Sequence, residues 1–110
     1  MERRRPADRK QLLMTQQEEK VPGGKLARLT MEKSGNSTLL QLSGDFFIHP
    51  EEGIFLIEES LMGIPENSSE IRVRQTVEDA VKKAGLEMIG IDAEAIARLY
   101  IRCRESIVDR

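Results

Sequence analysis

Between Lys25 and Ser43 apolar side chains recur at every second residue, and from Ile54 onward they recur at every third or fourth. These are the periods of a half-buried strand and of an amphipathic helix, so the chain must lay helices over a strand-rich front half. Ala27, Leu29 and Met31 alternate with Arg28, Thr30 and Glu32. Ser34-Gly35-Asn36-Ser37 reads as a hairpin turn, after which Leu40 and Leu42 alternate with Gln41 and Ser43. Strands so close in sequence pair antiparallel. Gly44-Asp45 interrupts the pattern, and Phe46-Phe47-Ile48 resumes it as a further short extended piece.

His49-Pro50-Glu51-Glu52 predicts a helix start, with proline at the first position and carboxylates at the positive end. Ile54, Ile57 and Leu61 form its apolar stripe, widened by Phe55 and Met62, and Gly63 and Pro65 end it. Asn67 with Glu70 predicts a capping arrangement for a second helix with Val73, Val77, Ala80, Val81 and Ala84 on one face. Gly85 closes that helix, and Leu86 is placed for the contact that accompanies a glycine cap. Leu86–Ile91 is expected as a third strand. Asp92 suits the N-cap of a last helix, where Ile96, Leu99, Tyr100, Cys103 and Ile107 make a continuous stripe. The order describes an α+β domain: a small, mainly antiparallel three-stranded sheet with helices on one face.

A chain of 110 residues fits one domain. Val21-Pro22-Gly23-Gly24 is a boundary signal, so the domain is expected over 23–110, with 1–22 a basic and polar extension. Pro6 could open a short helix there through Leu12, Leu13 and Met14. No apolar run approaches the roughly 18–20 residues that span a bilayer, and Arg3-Arg4-Arg5 is followed by no signal-like apolar region. One cysteine cannot staple the fold, so a cytoplasmic setting without membrane attachment is the expectation. Of 17 basic and 19 acidic residues, the first twenty hold six and four, which leaves an acidic body. Such a body is a poor platform for nucleic acid, and Arg3–Arg5 reads as a solvated tail.

Few residues carry chemistry. Cys103 sits on the apolar stripe and reads as a small core residue, not a nucleophile. His49 has no histidine or cysteine at ligand spacing, so no metal site is expected. Glu51/Glu52 and Glu58/Glu59 are adjacent pairs that diverge by about 100° on a helix and read as solvated faces. Gly23-Gly24-Lys25 lacks P-loop spacing and reads as a hinge whose lysine faces a partner's ligand. Phe46 and Phe47 must point to opposite faces of an extended segment, one inward and the other either an interface residue or covered by a helix. No reaction follows from these residues alone.

Val21-Pro22-Gly23-Gly24-Lys25-Leu26, and Ser43-Gly44-Asp45-Phe46-Phe47 running into His49-Pro50-Glu51-Glu52, resemble the C-terminal accessory domain of lipoate–protein ligases. Gly63-Ile64-Pro65 and the helix after Gly90-Ile91-Asp92 also fit that domain, so the resemblance covers about residues 21–104. It implies a fold similar to sulfur-acceptor and iron–sulfur scaffold proteins. In that family the domain is either fused to a catalytic domain or made separately, as in archaeal two-part ligases, and a chain of this length looks like the separate small subunit. The implied role is accessory: the catalytic subunit holds lipoate, ATP and magnesium, this chain binds none of them alone and supplies no catalytic residue, and both are needed to form lipoyl-adenylate before transfer to a lipoyl-acceptor domain. Lys25 is the candidate for approaching the adenylate, and Asp45, Phe46, Phe47 and His49 form the candidate partner interface. The competing expectation is a free-standing scaffold or binding module of a sulfur or iron–sulfur pathway, disfavoured because those proteins use loop cysteines.

Overall fold

A computed structural model describes residues 12–21, 23 and 25–108. The alternating front half becomes a sheet of β1 (Leu12–Val21), β2 (Lys25–Ser34) and β3 (Ser37–Gly44), antiparallel and in sequence order. Ser34 pairs with Ser37, Leu29 with Leu42 and Ala27 with Gly44, which sends Ala27, Leu29, Met31, Leu40 and Leu42 to one buried face. The two expected strands are thus in place.

The third strand of this sheet is not the expected one. β1 runs along the whole of β2, from Leu12 opposite Ser34 to Val21 opposite Lys25, so residues 12–21 are sheet and not appendage. The expected short helix also fails where it can be seen, since Leu12, Leu13 and Met14 open β1; its earlier residues lie outside the described ones, as do Arg3–Arg5. The strand was hidden because the inward positions Thr15, Gln17 and Glu19 are polar while Leu12 and Met14 face out. Those polar groups are matched by the last helix. Thr15 Oγ1 donates to Ser106 Oγ at 3.0 Å, Arg98 grips both oxygens of the Glu19 carboxylate, and Arg102 donates to Gln17 Oε1 at 3.2 Å.

The segment expected as the third strand pairs elsewhere. β4 (Phe47–His49) and β5 (Glu87–Ile89) form a separate antiparallel ribbon, with Phe47 opposite Ile89 and His49 opposite Glu87.

Three helices cover the inner face of the sheet: α1 (Gly53–Met62), α2 (Glu70–Ala84) and α3 (Ala93–Val108). α3 packs on β1 and β2, α1 on β3 and β4, and α2 on the two other helices. Each start has a local cause. Pro50, Glu51 and Glu52 form a turn whose carbonyls accept from Gly53, Ile54 and Phe55, so α1 begins at Gly53 with no acid in its first turn, later than expected. Ser69, not Asn67, caps α2 by accepting from Arg72 N–H at 3.2 Å. Gly85 ends α2 in the left-handed region at φ +65°, and Leu86 N–H returns to the Val81 carbonyl at 2.9 Å. Asp92 Oδ1 accepts from Ala95 N–H at 2.8 Å and caps α3 as expected. No helix among the described residues is long and apolar enough to cross a membrane.

The α3 stripe is buried throughout, at Ile96, Leu99, Tyr100, Cys103 and Ile107. Cys103 donates its thiol to the Leu29 carbonyl at 3.4 Å, and burial pushes its pKa up to about 11. α1 departs from expectation at two positions. Phe55 lies outside the stripe and is 63% exposed. Glu58, expected on a solvated face, is only 8% exposed, and its carboxylate accepts from Leu42 N–H at 2.7 Å.

Two predictions follow from these buried groups. Alkylation of Cys103 by iodoacetamide at about pH 8 should be negligible in the folded chain, because so little thiolate forms, and rapid once denaturant unfolds it. Burial raises the Glu58 carboxyl above its ordinary 4.5, opposed by the Leu42 hydrogen bond. The folded chain therefore holds this proton more tightly than the unfolded chain. From this group alone, stability is greatest below pH 4.5, declines as the pH rises through the raised folded value, and is level above it. Glu58→Gln should flatten that decline, read by urea denaturation at a series of pH values between about 4 and 7.

Candidate functional site

Lys25 opens β2 directly after the β1–β2 turn, opposite Val21. The end of β3 returns to the same place, because Ala27 pairs with Gly44. Gly44 takes φ +144°, and a Cβ there would run into the Leu26 carbonyl oxygen, so no other residue allows this approach. The approach lets Asp45 N–H donate to that carbonyl at 2.7 Å. Sheet pairing and one glycine thus bring two segments twenty residues apart in sequence into a single shallow recess of about 540 Å³, lined by Gly23, Lys25, Gly44, Asp45, Phe46 and Phe47.

Four of the five candidate residues, Lys25, Asp45, Phe46 and Phe47, therefore share one recess. The fifth, His49, does not line it. His49 stands exposed on the ribbon two residues beyond Phe47 and on the same face. Phe46 packs partly against the core while Phe47 is 70% exposed, as opposite faces of an extended segment require.

The ribbon adds two residues that sequence reasoning missed. Ile89 lies directly opposite Phe47 and is 51% exposed, so the two side chains form an apolar cross-strand pair open to solvent. Glu87 lies opposite His49 and sets a carboxylate beside that pair. An exposed apolar centre flanked by charged groups is the make-up of a protein interface. The signal was present as short alternation in Glu87-Met88-Ile89, but its meaning depends on pairing with β4.

The chemistry available in the recess is modest. Among the described residues it holds one ammonium, Lys25, and one carboxylate, Asp45, in an open setting. Among the described residues, no three His, Cys, Asp or Glu side chains are grouped to hold a metal ion. Cys103 lies in the core with a thiol that resists ionisation, which does not suit a sulfur carrier.

A larger groove of about 770 Å³ lies at the far end of the sheet, between the β2–β3 turn and the end of α3. Three of its ionic groups, Lys33, Glu66 and Arg104, are engaged with this chain, while Glu105 stands exposed at its edge. Lys33 pairs with Glu66, whose carboxyl is held below its usual value by that hydrogen bond. Arg104 donates to the Glu66 and Ser68 carbonyls at 2.8 and 2.6 Å and lies over the Tyr100 ring. These bonds tie the α1–α2 loop to the sheet and to α3, and they give Lys33, Glu66 and Arg104 a structural role.

No protein-family model matches this sequence, and no curated protein does. Among solved structures, the fold matches a chain from the archaeal lipoylation system of Thermoplasma acidophilum, described as a bi-partite lipoate protein ligase and its E2 lipoyl domain. The match has a TM-score of 0.59 and 26% sequence identity, and it covers 84% of this chain and 96% of that one. Motif and architecture agree, and this chain resembles the accessory domain of lipoate–protein ligases in the separate form of the archaeal two-part enzymes.

Proposed function

We propose that this chain is the accessory subunit of a two-part lipoate–protein ligase, docking on a separate catalytic subunit and needed there for ATP-dependent formation of lipoyl-adenylate. The observation that carries this reading is the likeness, along most of both chains, to a protein of a bi-partite lipoate protein ligase system. The recess and ribbon supply the docking corner: Phe47 and Ile89 form its apolar centre, with Asp45, His49 and Glu87 around it.

The chain's own contribution is positioning. In this reading lipoate, ATP and magnesium are held by the catalytic subunit. Docked at the corner, this domain excludes water from the catalytic subunit's site and shields a hydrolysable mixed anhydride. Lys25, at the start of β2, brings a cation toward the phosphate side of the bound adenylate, where charge stabilisation is effective once water is excluded.

Reconstitution tests the whole reading. With lipoate, ATP and magnesium, adenylate should form only when both chains are present; a catalytic subunit that reaches full rate alone overturns it. Phe47→Ala should weaken the complex by at least tenfold, the size of effect expected for truncating an interface anchor. Lys25→Ala should lower the adenylation rate by about tenfold or more even at saturating subunit, where any loss of affinity is overcome. Isothermal titration calorimetry measures the first effect, and pyrophosphate release measures the second.

A further inference from the structure

The docking corner is assembled from two separately hydrogen-bonded units. Gly23, Lys25 and Gly44 belong to the three-stranded sheet or its first turn, whereas Phe47, His49, Glu87 and Ile89 belong to the β4–β5 ribbon. Among the described residues no strand ladder joins the two. Asp45 and Phe46 connect them covalently, and a two-residue link does not by itself fix an angle.

α1 touches both units. At its first residue, Gly53 packs so closely on the ribbon that a Cβ there would stand 3.0 Å from Ile48 Cγ2 and would overlap the Leu86 side chain. Five residues on, Glu58 sends its carboxylate to Leu42 N–H at 2.7 Å, two residues before Gly44. Among the described residues, this is the one side-chain hydrogen bond between α1 and the sheet. An apolar contact lets a helix slide on a strand, whereas a short directional hydrogen bond holds it at one register.

The chemistry at this point is unusual for a purely structural contact. Glu58 is nearly buried, and burial disfavours its charge. A helix can cover an edge strand with aliphatic side chains, without burying a carboxylate. The outward N–H of Leu42 on edge strand β3 would then lack a partner, and the placement of α1 on the strand would be set by packing alone.

We infer that Glu58 is a positioning residue for the docking corner: its bond to Leu42 fixes the end of β3, and with it Gly44 and Asp45, relative to α1 and so to the ribbon carrying Phe47 and Ile89. This inference rests on the docking reading above and adds a residue that touches neither the recess nor the partner.

The test uses the full chain and the catalytic subunit. In the free wild-type chain, the Leu42 amide should exchange with deuterium as slowly as the paired amides of β2; exchange at the rate of an open edge amide overturns the proposal without any variant. Glu58→Leu, which removes the acceptor, should weaken the complex roughly tenfold and leave the adenylation rate at saturating subunit unchanged. Glu58→Gln, which keeps an acceptor oxygen, should restore affinity to within about twofold of wild type. A Gln variant at least tenfold weaker than wild type overturns the proposal, also where the Leu variant does not fold, and so does a folded Leu variant at full affinity. Phe47→Ala separates the two levels. If it alone weakens the complex, docking at the corner stands and the role of Glu58 falls; if it binds like wild type, the corner is not the docking surface and both fall.

Discussion

Ile96, Leu99 and Cys103 on α3 and Leu29 on β2 are almost fully removed from solvent, and the packing of α3 on β1 and β2 sets the rest of the geometry. Burying each large side chain of this kind is worth about 1.5–3 kcal/mol, which makes the stripe the main apolar tie between helix and sheet. Polar contacts along β1 fix its direction: Glu19 holds Arg98, and Thr15 meets Ser106 two turns further along the helix. With α3 placed, α2 stacks against it and α1 fills the remaining inner surface beside β3. The ribbon then sits at the end of α1, next to the first turn of the sheet.

Elements whose meaning is local could be read from the sequence. β2, β3 and the α3 stripe follow from periodicity alone, and the Asp92 and Gly85 caps follow from residue type. Elements whose meaning is long-range could not. β1 presents polar residues to the interior because they bind α3, some eighty residues later, and nothing within 12–21 announces that. Leu86–Ile91 was recognisable as extended, but extension does not say which strand is the neighbour, and β5 chose β4. Glu58 looked solvated because its partner is a backbone N–H on β3, invisible to any side-chain pattern.

The candidate site divides in the same way. Lys25, Asp45, Phe46 and Phe47 were singled out by residue type and motif, and the β2–β3 pairing then gathered them. His49 was singled out by neighbourhood in sequence and ended up on the ribbon face beside the recess, not in it. Ile89 and Glu87 escaped notice because their importance comes from facing Phe47 and His49 across a ribbon joined through nearly forty residues of intervening chain.

The recess is not enclosed by any one continuous stretch of chain. Its lining comes from the turn and first residue that open β2 and from the stretch that runs from the end of β3 into β4, and Gly90 backs it: a Cβ on that residue would lie 3.4 Å from the Asp45 carbonyl oxygen. A surface composed this way vanishes as soon as either the sheet or the ribbon opens. A partner that recognised it would bind intact molecules only, and by mass action each increment of that partner would draw the equilibrium away from open forms. Binding at such a surface would in this way serve as a fold check on this chain.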